Sequence, residues 1–568
     1  MDNRSHSEAS YSKDWRVGAT QYILDERRRA ALAEIDNALF VCLAPPCLPR
    51  IVTSARWFHV KVCLVAAAGF FCDSYDIFAI NIGAQMIGYV YGTGSPRKLT
   101  TNRQDLGLKV ALPVGTLFGQ LLFGWLADIV GRKRMYGVEL IIIIIGTFAQ
   151  ALSGGAHAVS IIGVLVVWRF FTGIGVGGDY PLSATIASEF ASTKLRGRLM
   201  TMVFSAQGWG NFTAVLVAFI VTEAFKNKII AEPSITDLNH VDYMWRILLG
   251  LGCLPAVFAI YYRLTLPETP RFTMDIERNV MQAADDIDHV LRTGRFDYDP
   301  DAIVQRADAP RASLEDFRNY FGRWENLKVL IGTSYSWFAL DIAFYGLGLN
   351  SATILTAIGF GSPATHDTRG IYQALHNVCV GNLIFSVAGL IPGYYATFAL
   401  IDSWGRKPIQ LMGFTVLTVL FLIMGFGFNA LQGSTAGKGA FVFLYCLTNF
   451  FQNFGPNTTT FIIPGEVFPT RYRSTAHGIS AASGKFGAII AQVGFGQLLN
   501  IGGTNKFIPH IMEILAFFMM TGIFSTLLLP ETKQKSLEEL SNERQEGFLR
   551  GPTTQVKIHN GIIMGTRL

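Results

Sequence analysis

Three side chains able to bind and move charge share one helical face: Trp337, Asp341 and Tyr345 stand at i, i+4 and i+8. They bring an indole N–H, a carboxyl and a phenol together inside an apolar stretch. An ionised Asp341 would repel an oxyanion, whereas a protonated one donates it a hydrogen bond. Burial favours the protonated form of a carboxyl, and a nearby anion favours it further. Proton and anion would then assist each other's binding, which is the thermodynamic basis of symport. A structural ion pair with Lys485 is the competing reading. Both hold if Lys485 neutralises Asp341 in the empty protein and faces the anion in the loaded one. Asp73, Arg169 and Asp179 are expected to form a second group, with Asp76 beside it. Arg169 and Asp179 are ten residues apart, about three helical turns. A carboxylate alternating between arginine and a proton would make a relay. A permanent bridge is the structural alternative. Glu139 is expected to be structural and close to an interface, and Glu513 is a further buried candidate.

The elements that carry these residues are strongly apolar. The chain has 568 residues, 50% hydrophobic and 15% charged, with mean hydropathy +0.34. Soluble domains carry about 25% charged residues. Long apolar blocks such as 138–151 and 411–428 suit a bilayer, where about 20 residues cross a ~30 Å core. Lipid leaves backbone polar groups unsatisfied, so such blocks must be helices or closed barrels. Their continuity, without alternation, argues against a barrel. Spans are expected at roughly 59–82, 107–130, 136–156, 160–184, 199–223 and 244–265, then at 328–358, 371–400, 408–428, 438–463, 476–500 and 507–529. The expected fold is all-α, with twelve transmembrane helices in two six-helix halves related by a pseudo-two-fold axis. Residues 1–58 read as an N-terminal segment, 59–265 as the first half, 266–327 as a polar central loop, 328–529 as the second half and 530–568 as a tail. No cleavable signal is expected, because Glu26-Arg27-Arg28-Arg29 is too charged for one. The seven cysteines show neither metal nor disulfide spacing. No nucleophile triad or nucleotide loop is present either, so neither an enzyme, a cofactor nor a nucleic-acid partner is expected.

Basic clusters at Arg132-Lys133-Arg134, Lys194 to Arg198, Arg406-Lys407 and Arg471-Tyr472-Arg473 all fall on one side of this arrangement. That side, with both termini and the central loop, is expected to be cytoplasmic. The loop Tyr91 to Asp105, with Arg97, Lys98 and Arg103, is an exception on the other side. The halves repeat each other in order. Asp128-x-x-Gly131-Arg132-Lys133 returns as Asp402-x-x-Gly405-Arg406-Lys407. Glu189 ahead of Arg196 and Arg198 returns as Glu466 ahead of Arg471 and Arg473, and Pro267-Glu268-Thr269 returns as Pro530-Glu531-Thr532. Asp128 is expected to pair with a helix N-terminus or a basic residue across the seam between the halves. Arg132, Glu189, Arg196, Glu268, Arg271, Asp402, Arg406, Glu466 and Arg473 complete the expected gating set; simple membrane anchoring is the alternative. Gly115-x-x-x-Gly119 and Gly393-x-x-x-Thr397 allow close helix contacts. Gly173-Ile174-Gly175-Val176-Gly177-Gly178 has no preceding strand, which argues against a nucleotide loop. It is expected to thin its helix and make room for substrate.

The string Gly177-Gly178-Asp179-Tyr180-Pro181-Leu182-Ser183-Ala184-Thr185 resembles the signature of the phosphate:proton symporter family within the major facilitator superfamily. Phe454-Gly455-Pro456-Asn457 and the run from Ile463 to Lys485 resemble it too, and the likeness extends from about Leu32 to Glu539. The resemblance implies proton-coupled import of inorganic phosphate by alternating access at the plasma membrane, with arsenate as a mimic. It implies phosphate contacts from Tyr180, Gln207, Trp337, Asp341, Tyr345 and Asn457. Proton coupling or charge compensation would fall to Asp73, Asp76, Arg169, Asp179, Asp341 and Lys485. Residues 41–56 depart from the family pattern and read as an inserted segment of the kind a retained intron leaves. Other readings stay open: a proton-coupled carrier of another small anion or a sugar, or a phosphate-sensing transceptor. Regulatory proteins could engage the central loop and tail.

Overall fold

The computed structural model describes residues 26–36, 50–93, 97–99, 101–235, 238–266, 268–277, 279, 283, 304–307, 312–359, 367–543, 552–559 and 562–567. Twelve long helices carry the fold. The first half comprises α1 (Arg50–Tyr91), α2 (Leu106–Val130), α3 (Arg132–Leu152), α4 (Ile161–Phe190), α5 (Arg196–Ile230) and α6 (Asn239–Leu264). The second comprises α7 (Trp324–Gly348), α8 (Thr368–Trp404), α9 (Arg406–Phe426), α10 (Thr435–Asn453, continued by Pro456–Val467), α11 (Arg473–Leu498) and α12 (Ile508–Leu527).

Eight of these have the length and apolar composition to cross a bilayer unaided. With Ser351–Ala357, α7 makes a ninth, bent by 58° at the break. Helices α5, α10 and α11 are less apolar because their buried faces are polar. Gln207 on α5, Asn453 and Asn457 on α10, and His477, Lys485 and Gln492 on α11 all point inward. The most polar helices are therefore the ones that line the interior.

Several boundaries differ from the expected ones. Helix α1 begins at Arg50, so residues 50–56 of the expected insert are its first turns, while 41–49 lie outside the described residues. Helix α6 is broken between Asn239–Gly250 and Cys253–Leu264. Helix α10 is broken at Phe454-Gly455, where Pro456, lacking an N–H, opens the next piece. The central stretch is not wholly loop. It contributes a helix, Leu314–Phe321, capped by the Ser313 side chain, and a strand, β1 (Val304–Ala307). Strand β1 pairs antiparallel with β2 (Pro552–His559), which pairs antiparallel with β3 (Ile562–Arg567).

The glycine run of α4 serves helix packing rather than substrate, which corrects the expectation. A Cβ on Gly173 or Gly177 would lie 2.3 Å from the carbonyl oxygens of Leu112 and Thr116 on α2. On the other side, one on Gly175 would lie 2.7 Å from the Glu139 carbonyl of α3. Gly115 and Gly119 return the contact from α2, where an added Cβ would lie within 2.1 Å of the Phe170 and Ile174 carbonyl oxygens. A Cβ on Gly393 of α8 would likewise lie 2.4 Å from the Phe450 carbonyl oxygen of α10.

The short α2–α3 and α8–α9 turns lie at one end of the bundle, here called the basic face. Their pivots, Gly131 and Gly405, have φ of 116° and 103°. L side chains rarely adopt that region, which explains glycine at both repeats.

Candidate functional site

The expected substrate residues converge between the halves. Tyr180, Gln207, Trp337, Asp341, Tyr345, Asn457 and Lys485 are each at most 3% exposed. Lys485 Nζ donates to Asp341 Oδ2 at 2.8 Å and sits over the rings of Tyr345 and Tyr180, 4.4 and 4.9 Å from their centroids. Gly484 makes this approach possible, since a Cβ there would lie 2.5 Å from Trp337 and 2.9 Å from Asp341 Oδ2. The amides form an adjoining network. Gln207 Nε2 donates to the Tyr180 hydroxyl at 3.2 Å, and Asn457 Nδ2 donates to Gln207 Oε1 at 3.3 Å. Tyr394, which sequence reasoning missed, joins them: its hydroxyl donates to Gln207 Oε1 at 2.7 Å and accepts from Asn457 at 2.9 Å. Phe70, Phe204 and Phe461 wall the site, with Phe204 and Phe461 stacked at 4.4 Å. His477, also unforeseen, packs edge-on against Trp337.

The expected Asp73–Arg169–Asp179 group forms only in part: Asp73 lies beside Asp179, but Arg169 is not with them. Arg169 instead donates to the Leu108 carbonyl at 2.7 Å and to Gln150 at 3.4 Å. Ten residues of helix separate Arg169 from Asp179 by about 15 Å, more than an arginine side chain spans. Arg263 of α6 takes its place. Its guanidinium pairs with Asp179 Oδ2 at 2.8 Å and with Glu139, and it stacks on the Tyr136 ring 4.0 Å from the centroid. Glu139 is thus part of a fully buried cluster. Neither oxygen of Asp73, 1% exposed, has a hydrogen-bond partner among the described residues. Asp76 accepts from Thr147 at 2.5 Å. Glu513 pairs with His510 at the far end of α12, away from both clusters.

At the basic face, the repeated motifs make two matching locks. The Thr475 backbone N–H and hydroxyl donate to Asp128 Oδ2 at 2.7 and 2.8 Å, at the N-terminus of α11. Its counterpart Asp402 accepts from the Arg198 N–H at 3.0 Å, at the N-terminus of α5. Each bond crosses between halves and places a carboxylate at a helix's positive end. Arg132 pairs with Asp128 at 3.1 Å, and Arg406 with Asp402 at 3.0 Å. Glu189 bonds Arg473 and Glu466 bonds Arg406, both at 2.8 Å. Thr269 and Thr532 donate to those same two glutamates at 2.5 Å. Glu268 accepts from the N–H of Lys133, and Glu531 from those of Arg406 and Lys407. Arg271 pairs with Asp36 at 3.0 Å and with Glu538 at 2.8 Å. Arg196 pairs with Asp36 at 3.3 Å. Against the upward push of burial, Arg271 holds the Glu538 carboxyl down at about 2.

Residues 62–543 match the sugar (and other) transporter family. The chain belongs to that family. Among relatives of this transporter is the repressible high-affinity phosphate permease of Neurospora crassa, 46% identical over 91% of this chain and 90% of its own length. The inorganic phosphate transporter PHO84 of Saccharomyces cerevisiae is 46% identical over 91% and 87%. Among solved structures, the major facilitator proton:xylose symporter XylE superposes with TM-score 0.63 at 19% identity, covering 85% of this chain and 98% of that one. That likeness shows the shared twelve-helix fold. Of the transporter's interior groups, Arg263 could not be told in sequence from an interfacial anchor at the end of α6. Glu531 carries a legible signal, since the Pro-Glu-Thr repeat makes it the counterpart of Glu268.

Proposed function

We propose that this transporter imports inorganic phosphate together with protons by alternating access. The observation that carries the reading is the buried Lys485–Asp341 pair, set beside a ring of phenol, indole and amide groups. The pair is neutral when empty. Protonation of Asp341 releases Lys485, which then faces an oxyanion with Trp337, Tyr180 and Tyr345 supplying further donors. Asn457 and Gln207 bind by hydrogen bonds, without a permanent charge that would trap the anion. A sugar would leave the Lys485 ammonium buried without a counter-charge once Asp341 is protonated, at high cost. Arsenate, with the same tetrahedral oxygens and charge, competes with phosphate.

The basic face is cytoplasmic in this reading, along with both termini, and the membrane is the plasma membrane. Its seam is closed by the Asp128 and Asp402 locks, while a cavity of about 390 Å³ opens at the opposite end. The form is occluded: the central residues are buried, and below the cavity Asn81 donates to Ser351 and Lys109 to Asn350 across the halves, while both locks must break for release inside. In the first half, Asp73, Glu139 and Asp179 face the single guanidinium of Arg263. Three ionised carboxylates there would bury net charge −2, so the cluster holds protons, and Asp73, lacking a partner, is the group to exchange one.

Labelled phosphate uptake into proteoliposomes with an imposed inward proton gradient tests this. Uptake is expected to exceed equilibrium, to collapse with a protonophore and to be inhibited by arsenate. Gradient-driven uptake of xylose but not phosphate would overturn the reading.

A further inference from the structure

The basic loop between α1 and α2 runs against the charge asymmetry of the rest of the chain, and the structure gives it a place. Arg97 and Lys98 line the cavity of about 390 Å³ at the end opposite the basic face, together with Lys109, Asp105, Asn350 and Gln492. Three cations there face one carboxylate among the charged lining. The loop's described residues fold back on themselves, with Lys98 exposed at the cavity rim. Thr93 and Lys98 exchange backbone hydrogen bonds of 2.9 and 3.0 Å, and Arg97 donates to the Val90 carbonyl at 2.9 Å. Gly92 lets the fold close, since a Cβ there would lie 2.4 Å from the Lys98 carbonyl.

Lys109 is the inner cation. It is 5% exposed and donates to Asp105 Oδ2 at 2.8 Å and Asn350 Oδ1 at 3.0 Å, which occupies two of its three N–H donors. Asn350 in turn donates to Gln492 Oε1 at 3.1 Å. Gln492 Nε2 donates to the backbone carbonyl of Tyr345 at 2.7 Å. A continuous hydrogen-bonded path therefore leads from the basic vestibule to the helix that carries the central site.

We propose that this vestibule is a second, outer oxyanion site, where Arg97, Lys98 and Lys109 collect phosphate before it reaches Trp337, Asp341 and Tyr345. The site rests on the phosphate reading above. A cleft lined by one sign of charge concentrates the opposite ion and raises its capture rate, and salt screens the effect. Arg103, exposed in the helical turn Thr101–Asp105 that leads into α2, is not in the lining, so it separates a built site from general surface attraction.

The test is phosphate uptake by the full chain in proteoliposomes at low and high ionic strength. The double variant R97Q/K98Q is expected to raise KM about fivefold at low salt, leave kcat unchanged and converge with the intact chain at high salt. Lys109→Gln is expected to raise KM as well, and Arg103→Gln to leave it unchanged. An unaltered KM in R97Q/K98Q, or an equal rise in Arg103→Gln, would overturn the outer site while leaving the central one standing. Absence of phosphate uptake by the intact chain would instead remove the phosphate reading, and this site's ligand with it.

Discussion

At the residue scale, what was legible in sequence was what a single helix fixes locally. Trp337, Asp341 and Tyr345 share a face because of helical period alone. What was not legible needed a partner from elsewhere, as Arg263 and Tyr394 did. Gly69 shows how tightly the Arg263 cluster is built: a Cβ there would lie 1.6 Å from the guanidinium and 2.1 Å from Asp179. Gly69→Ala is therefore expected to force the pair apart, costing about 1–3 kcal/mol of stability, read as a lowered Tm in detergent. Arg263→Lys keeps the charge but loses the fork that serves two carboxylates. It is expected to cut gradient-driven uptake at least about tenfold while the protein still folds; full activity in this variant would remove Arg263 from the coupling cluster. Tyr394→Phe deletes the hydroxyl that joins Gln207 to Asn457. Its expected cost is about 1 kcal/mol of phosphate affinity, a rise of roughly fivefold in KM.

At the element scale, the repeat of Asp128 in Asp402 announced two equivalent locks, and the structure sets each carboxylate on the N-terminus of a helix from the other half. The identity of those helices was not readable, because the repeat fixes which residues correspond but not what they cross to. Asp128→Asn weakens the charge–dipole contact at α11 by about 0.3–1 kcal/mol. Faster hydrogen exchange over Ser474–His477 is the expected consequence, with Asp402→Asn doing the same over Gly197–Leu199. An effect from one but not the other would break the symmetry argument. The glycine run of α4 departs from the sequence expectation for a related reason: spacing shows that a helix is thin, not which neighbour occupies the space.

At the scale of the molecule, eight helices and the bent α7 stand out by continuous apolar composition, whereas α5, α10 and α11, with polar inward faces, take their place from the repeat of the two six-helix halves. The basic face also carries a pH-sensitive clasp. Glu538 is held near 2 by Arg271 against an ordinary value of 4.5. A depressed carboxyl contributes its stability in full above pH 4.5 and loses it as pH falls toward 2. The Tm gap between the intact chain and Glu538→Gln is therefore expected to be wide at neutral pH, to narrow below pH 4.5 and to close only as pH falls through about 2. A gap independent of pH would place the effect in packing instead.

The central claim is that Asp341 carries the coupling proton, so that anion and proton move as one. Asparagine at this position resembles the protonated carboxyl and cannot release a proton. The decisive measurement compares two fluxes of labelled phosphate through Asp341→Asn in proteoliposomes: exchange between equal concentrations on both sides, and accumulation driven by a proton gradient. The account predicts that exchange survives while gradient-driven accumulation is lost. Accumulation at the intact level in Asp341→Asn would contradict it and shift the coupling to the Asp73, Glu139 and Asp179 cluster.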